Sequence, residues 1–111
     1  DGERWRRVAG GAVTVLDVRP VEEYRAGHIP GALSVPLGQL KDLFAKLSKD
    51  QEIVAYCRGP YCVLAVEAVE MLRKKGFKAI RLEEGIQDWL AMGLSISVGE
   101  EKTAVNEEPN R

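Results

Sequence analysis

The chain has 111 residues, of which 45% are apolar and 30% charged, and its formal net charge is −1 at pH 7. This length allows one domain with one hydrophobic core, and the balanced charge provides no polybasic surface for nucleic acid or an acidic membrane. No apolar run approaches the roughly 20 residues that span a bilayer, and two cysteines do not make a secreted disulfide framework, so a cytoplasmic setting is expected.

Apolar runs alternate with amphipathic stretches along most of the chain. Residues 12–18, AVTVLDV, are β-branched and almost wholly apolar, which is typical of a strand buried on both faces. Pro20 suits a first helical position and Gly27 a helix stop, so a short helix is expected between them. The later pattern predicts strands at 32–35, 52–56 and 78–82, and helices at 37–47, 62–75 and 85–93.

The two ends of the chain lack this alternation. Residues 1–11 are predicted to be an N-terminal helix or a linker remnant, and residues 98–111 a disordered tail, because they show no apolar periodicity. The domain itself is predicted to span residues 12–97.

Two of the predicted helices carry expectations about their buried sides. Trp89 is expected to face inward from the last helix, and Gly76 to end the helix at 62–75. The inward face of that longer helix is predicted from the spacing of its larger apolar residues, which are Val63, Val66, Val69 and Leu72.

Strands that alternate with helices predict an α/β domain whose central parallel sheet has helices on both faces. In such sheets ligands bind beyond the carboxyl ends of the strands. Cys57 directly follows the strand at 52–56, so this fold places it where a functional site is expected.

The segment CRGPYC, residues 57–62, connects that strand to a helix in very few steps. Gly59 permits a positive φ, so the connection is expected to curl and to turn backbone N–H groups inward as an anion cradle at the helix start. Pro60 has no N–H group to donate. The candidate donors are the amides of Arg58, Gly59, Tyr61, Cys62 and Val63.

A thiol inside such a ring should ionise readily, because amides and a helix dipole favour the thiolate. Cys57 is therefore a candidate nucleophile, and Arg58 would add positive charge if its side chain points inward. Attack on an anionic sulfur donor would leave a persulfide on Cys57, which a second nucleophile could discharge. The competing interpretation is that Cys57 is a small buried apolar residue. His28, the only histidine, lies in a different loop, so a Cys–His pair is unsupported.

Three segments resemble those of the rhodanese-like family, the single-domain sulfurtransferases, and together they cover about residues 12 to 96. VLDVRPVEEYRAGHIPGALSVP (15–36) resembles the first family signature, and VAYCRGPYCVLA (54–65) the active-site segment. GFKAIRLEEGIQDWLAMGLSI (76–96) resembles the closing segment, with its Gly-x-x-x-Trp.

The resemblance implies that Cys57 carries sulfur as a persulfide and that residues 58–62 form the cradle. No cofactor is expected. A small anionic sulfur donor and a thiol or cyanide acceptor would be the partners. The six-residue loop fits sulfur transfer, since the related phosphatases of this fold have one residue more. Cys62 stands where many rhodaneses have a basic or hydroxyl residue. A neutral residue there implies weaker binding of the dianion thiosulfate, unless the charge of Arg58 compensates.

The string Cys-Arg-Gly-Pro-Tyr-Cys is also similar to rhodanese domains fused behind winged-helix regulators of the arsenic-repressor type. This resemblance implies a DNA-binding domain ahead of Asp1. It also leaves an alternative function open, in which Cys57 and Cys62 sense persulfides, oxidants or arsenicals for a transcriptional regulator.

Several polar residues have both a functional and a structural interpretation. Asp17 and Arg19 either orient the active loop at its rim or form a structural ion pair, and the structural role is favoured. Cys62 is either a resolving thiol or the first apolar residue of its helix, and the second is favoured because adjacent backbone geometry often keeps such side chains apart. His28 is expected to fix its loop by hydrogen bonding. A metal site is not expected, since two cysteines lack further ligands.

Overall fold

A computed structural model describes residues 13–59, 62–83 and 85–99. Its sheet has four parallel strands: β1 (Thr14–Asp17), β2 (Leu33–Ser34), β3 (Ile53–Tyr56) and β4 (Ala79–Arg81). Their spatial order is β2-β1-β3-β4, so β1 and β3 are central. The predicted α/β architecture with a parallel sheet is confirmed.

The described residues form four α-helices: α1 (Val21–Ala26), α2 (Leu40–Leu43) and α3 (Val63–Lys74) lie between strands, and α4 (Ile86–Ala91) follows β4. In the described part of the chain, none of the helices combines the length and apolar character that crossing a membrane requires.

The single helix predicted over 37–47 is wrong in detail, because α2 is only its central part. The turns Leu37–Gln39 and Phe44–Lys46 on either side are 3₁₀ helices. At Gln39 and Leu43 the backbone lies near φ −110° and ψ 0°, which interrupts regular α-helical hydrogen bonding.

Alternate residues of the strands point to opposite faces of the sheet, and each face has its own apolar cluster. Leu16, Ala55 and Cys57 pack on the face that α2 and α3 cover. Val15 and Tyr56 pack on the opposite face, together with Trp89 of α4. Trp89 is buried, as its place in the sequence predicts.

The predicted inward face of α3 is partly wrong. Val63 and Val66 are 61% and 39% exposed. The residues that are buried instead share the spacing i, i+3, i+4, i+7, and they are Ala65, Ala68, Val69 and Leu72. Two alanines at the contact allow the helix to lie close to the sheet, so small residues replace the larger valines that the periodicity favoured. Gly76, with φ 90°, follows the helix end as predicted.

Most of the two chain ends lies outside the described residues. The helix or linker at 1–11 lies outside the described residues, and so do residues 100–111. Of the predicted tail, the Gly99 N–H donates a 2.7 Å hydrogen bond to the Arg25 carbonyl. At Gly99, inside the segment predicted to be a tail, the backbone is thus hydrogen-bonded to the end of α1.

Candidate functional site

Cys57 lies immediately beyond the carboxyl end of the central strand β3 and is 2% exposed. The backbone on its other side leads, through residues 58–62, to the start of α3 at Val63. Strand β3 is hydrogen-bonded to β1 on one edge and to β4 on the other. These two neighbouring strands therefore hold the backbone that leads into Cys57 in place.

Helix α4 holds the backbone that follows Cys57. The Ile86 N–H donates to the Cys57 carbonyl and the Gln87 N–H donates to the Arg58 carbonyl, both at 3.2 Å. Gly85 makes this approach possible, because a Cβ there would lie 2.5 Å from the Cys57 oxygen and would also overlap the Arg58 backbone. The loop is thus docked on the first turn of α4.

The curl of the loop does not arise as predicted. Gly59 has no positive φ, and the turn is closed instead by the Cys62 N–H, which donates to the Gly59 carbonyl at 3.2 Å. The Cys62 amide is therefore used within the loop and is not a free member of the predicted ring of donors. Pro60 and Tyr61, two further candidates for the cradle, lie outside the described residues.

Cys57 and Cys62 are joined by a disulfide bond, with their Cα atoms 6.1 Å apart. The preference for Cys62 as a merely apolar helix residue was wrong, because the curled loop brings the two Cα atoms within disulfide range. In this oxidised state the Cys57 sulfur is neither a thiolate nor a nucleophile. Reduction must precede any chemistry that begins with a free Cys57 thiol.

The Arg58 side chain turns toward α1, where Glu23 binds it with both carboxylate oxygens. Arg58 Nε donates to Oε1 at 3.0 Å and Nη2 donates to Oε2 at 2.7 Å. The hydrogen bond from Arg58 holds the pKa of Glu23 below its ordinary value, and the same bond raises the pKa of Arg58. Arg58 Nη1 still lies 3.9 Å from the Cys62 sulfur, so the guanidinium borders the disulfide while its charge is paired elsewhere.

Asp17 and Arg19 form an ion pair, in keeping with the structural role that was expected of them. Arg19 Nη2 lies 2.7 Å from Asp17 Oδ2 and also donates to the Gly27 carbonyl. Both residues are buried. Burial tends to lower the pKa of Arg19, but the hydrogen bond and the charge of Asp17 outweigh burial, and the pKa is raised.

Tyr56, the residue before Cys57, connects this ion pair to β3. Its hydroxyl donates to Asp17 Oδ2 at 2.6 Å and accepts from the Ile29 N–H at 3.0 Å. Burial, followed by the negative charge of Asp17, raises the pKa of the Tyr56 phenol, so the phenol stays protonated as a donor. The network therefore positions the end of β3 without entering the loop.

His28 has the loop-fixing role that was expected of it. Its Nδ1 lies 2.7 Å from the Tyr24 carbonyl, and its ring stacks on Tyr24 with centroids 3.6 Å apart. Its backbone exchanges two hydrogen bonds with Ser97. These contacts hold the loop after α1 against the last described segment.

A model of the Rhodanese-like domain family matches residues 2–92 of the chain. The chain belongs to the rhodanese-like domain family. Crystallised BH2092 protein from Bacillus halodurans has the same fold, with a TM-score of 0.81 at 31% identity, over 87% of this chain and 73% of that one. The described sheet and helices are thus a rhodanese-like fold by structure as well as by sequence.

Two relatives of this rhodanese-like domain have names that bear on function. The HTH-type transcriptional regulator Rv0324 of Mycobacterium tuberculosis is 50% identical over 97 residues, which are 87% of this chain and 43% of the regulator. A sulfurtransferase of Allochromatium vinosum is 31% identical over 85 residues, covering 76% of this chain and 78% of that protein. The chain thus spans less than half of the regulator but most of the sulfurtransferase.

Three residues that shape the site of the rhodanese-like domain were not singled out from the sequence. Glu23 lies within the short helix predicted between Pro20 and Gly27, Tyr56 ends the predicted strand at 52–56, and Gly85 begins the predicted helix at 85–93. The sequence contains a signal for Glu23 alone, because it follows Arg19 at the i+4 position, a spacing at which opposite charges can pair. The contacts of Tyr56 and Gly85 depend on segments far apart in sequence.

Proposed function

We propose that this domain is a rhodanese-type sulfurtransferase that carries sulfane sulfur as a persulfide on Cys57. The observation that carries the proposal is the place of Cys57, at the carboxyl end of a central parallel strand and before the twelve-residue helix α3. A helix start and the amides near it favour an anionic sulfur. The named sulfurtransferase among the relatives supports the same reaction class.

The proposed cycle starts from the reduced protein. The Cys57 thiolate attacks the outer sulfur of a donor such as thiosulfate, the donor's S–S bond breaks, and sulfite leaves with the bonding electron pair. Cys57 now ends in a persulfide anion. A thiolate or cyanide then attacks the terminal sulfur, the persulfide S–S bond breaks, and the Cys57 thiolate is restored as in other two-step transfers.

In this proposal Arg58, Gly59, Pro60, Tyr61, Cys62 and Val63 surround the transferred sulfur, and Asp17 and Arg19 support the strand end. Among the described residues of this set, some would contact the sulfur and others would only position the backbone. Val63 would contribute its amide, since its side chain is largely exposed. Asp17 and Arg19 would act only through the network that they form with Tyr56.

Intact-protein mass spectrometry tests the cycle. The protein is reduced, freed of reductant and incubated with thiosulfate or with glutathione persulfide. We expect a gain of one sulfur atom in the wild type and in Cys62→Ser, none in Cys57→Ser, and discharge by cyanide with formation of thiocyanate over many turnovers. Equal sulfur gain in Cys57→Ser would refute the assignment of the carrier.

The Cys57–Cys62 disulfide supports a second candidate function. Here the domain would be a module of a transcriptional regulator, and the two cysteines would respond to persulfides, oxidants or arsenicals. The similarity to an HTH-type regulator supports a fused DNA-binding domain and a cytoplasmic setting. A stable Cys57–Cys62 bond after one exposure to persulfide, without repeated thiocyanate formation, would favour this function over the enzyme.

A further inference from the structure

Four ionised side chains form a continuous series from the end of β1 to the Cys57 loop. Asp17 pairs with Arg19 at 2.7 Å, Arg19 Nη1 lies 3.9 Å from Glu23 Oε1, and Glu23 binds Arg58 at 2.7 Å. The signs alternate and the formal charges cancel. The cation nearest the loop is thus already matched by an anion of the protein.

Arg58 is the only basic residue in the segment 57–62, so it is the one cationic side chain that this segment can offer to a sulfur donor. Thiosulfate is a dianion that must approach a Cys57 thiolate. With Arg58 paired to Glu23, the side chains of this series offer the donor no net positive charge. A donor of similar shape and one negative charge fewer, such as methanethiosulfonate, meets less repulsion.

We propose that Glu23 is a specificity-determining residue, which retains Arg58 on α1 and so makes the site prefer sulfur donors of low charge over dianionic thiosulfate. This inference rests on the proposed sulfurtransferase function and adds the class of donor. The low-charge class comprises thiosulfonates and organic persulfides.

The Arg58 side chain has an alternative position near the Cys62 sulfur. Gln87 fixes its backbone carbonyl, so only the side chain is free to move. With Glu23 neutralised, the buried Arg19 guanidinium would repel Arg58 from α1, while Nη1 already lies 3.9 Å from the Cys62 sulfur. Removal of the Glu23 charge is therefore expected to turn Arg58 toward the loop mouth.

The Glu23–Arg58 pair is also well suited to substitution. The two side chains are 35% and 46% exposed, so breaking the pair leaves neither charge buried without a partner. The pair thus contributes little to folding compared with Asp17 and Arg19, whose charges are buried.

Both donors load Cys57 by the same balanced step. With thiosulfate, the thiolate attacks the outer sulfur and sulfite leaves. With methanethiosulfonate, the same attack expels methanesulfinate. In each case the bond between the outer sulfur and the oxidised sulfur of the donor breaks as the new S–S bond to Cys57 forms. The bonding electron pair leaves with sulfite or with methanesulfinate. The two donors differ mainly in one unit of charge.

The test compares kcat/KM for the two donors in reduced protein, with cyanide as the acceptor. Glu23→Gln is the test variant, and Glu22→Gln removes the same charge from an exposed neighbour on the same helix. Because both donors are assayed on one preparation, their ratio is independent of the fraction of correctly folded protein. Glu23→Asp keeps the charge and should restore the wild-type ratio at least in part.

We expect Glu23→Gln to raise the thiosulfate-to-methanethiosulfonate ratio about fivefold or more, the value of one extra charge pair at about 4 Å in a fully aqueous dielectric. The change should lie mainly in the KM for thiosulfate, shrink at high salt, and vanish in the double variant Glu23→Gln, Arg58→Gln. An unchanged ratio, or an equal rise in Glu22→Gln, would overturn the inference while sulfur loading remains intact. Failure of both donors to load Cys57 in every variant would instead refute the proposed function.

Discussion

The Tyr56 hydroxyl donates a 2.6 Å hydrogen bond to Asp17, its direct partner in the register of β1 and β3. The same hydroxyl accepts from the Ile29 N–H, so one phenol satisfies two buried groups on different segments. Strand β3, which ends one residue before Cys57, is thereby hydrogen-bonded through this phenol to the neighbouring strand and to the loop after α1.

Replacing Tyr56 by Phe should destabilise the fold by about 1–3 kcal/mol, because the buried Ile29 N–H loses an acceptor and Asp17 loses a donor. Urea unfolding measures the loss. Tyr24→Phe is the matched control: that hydroxyl donates to the Ala32 carbonyl, so a smaller loss is expected there. Equal losses in the two variants would contradict the double role of Tyr56.

Gly85→Ala should displace the Cys57 loop from α4, because the added Cβ would overlap the carbonyl of Cys57 and the backbone of Arg58. We expect a loss of about 1–3 kcal/mol in stability and a larger proportional loss in the rate of sulfur loading, measured by stopped-time mass spectrometry. Gly38→Ala is the control, since a Cβ there meets no atom within 4 Å. A normal loading rate in Gly85→Ala would show that this docking is dispensable.

Cys62→Ser should remove the need for a reductant. In the oxidised wild type the Cys57 sulfur is bonded to Cys62, so a sulfur donor should load it only after reduction. The variant leaves Cys57 free and should take up sulfur directly. Intact mass, recorded with and without prior reduction, separates the two proteins. Equal loading of the unreduced wild type, after thiol titration has confirmed its disulfide, would contradict this expectation.

The Glu23–Arg58 pair should make a small contribution to stability that depends on pH. The folded-state pKa of Glu23 is lowered, chiefly by the hydrogen bond from Arg58, so its contribution is complete above the ordinary value of 4.5 and is lost as the pH falls through the lowered one. Because the pair is partly exposed, about 0.5 kcal/mol is expected at neutral pH.

Urea unfolding of the wild type and Glu23→Gln at several pH values measures that contribution. The difference in unfolding free energy should be present at neutral pH and disappear at about pH 2, where carboxylates are protonated. Glu22→Gln, tested in parallel, is the control for loss of a carboxylate from the start of the same helix. A difference that persists unchanged in acid would mean that the ion pair is not its source.

The sequence was sufficient for the fold class and for the position of Cys57, because both depend on local signals. Runs of β-branched residues, Gly and Pro at element ends, and helical periodicity each act within about ten residues. The strand ending at Tyr56 and a helix starting at 62, one residue before the observed start, follow directly, and with them the place of Cys57 at the carboxyl edge of a parallel sheet.

Tertiary structure decided everything that depends on which segments meet. The buried face of α3 was chosen by how closely two alanines allow the helix to approach the sheet, and the position of the Arg58 side chain by Glu23, thirty-five residues away. The Cys57–Cys62 bond likewise depends on the exact curl of the loop. Local periodicity determines where strands and helices form, but only three-dimensional packing decides which charges neutralise each other, because a Coulomb or hydrogen-bond energy depends on distance in space and not along the chain.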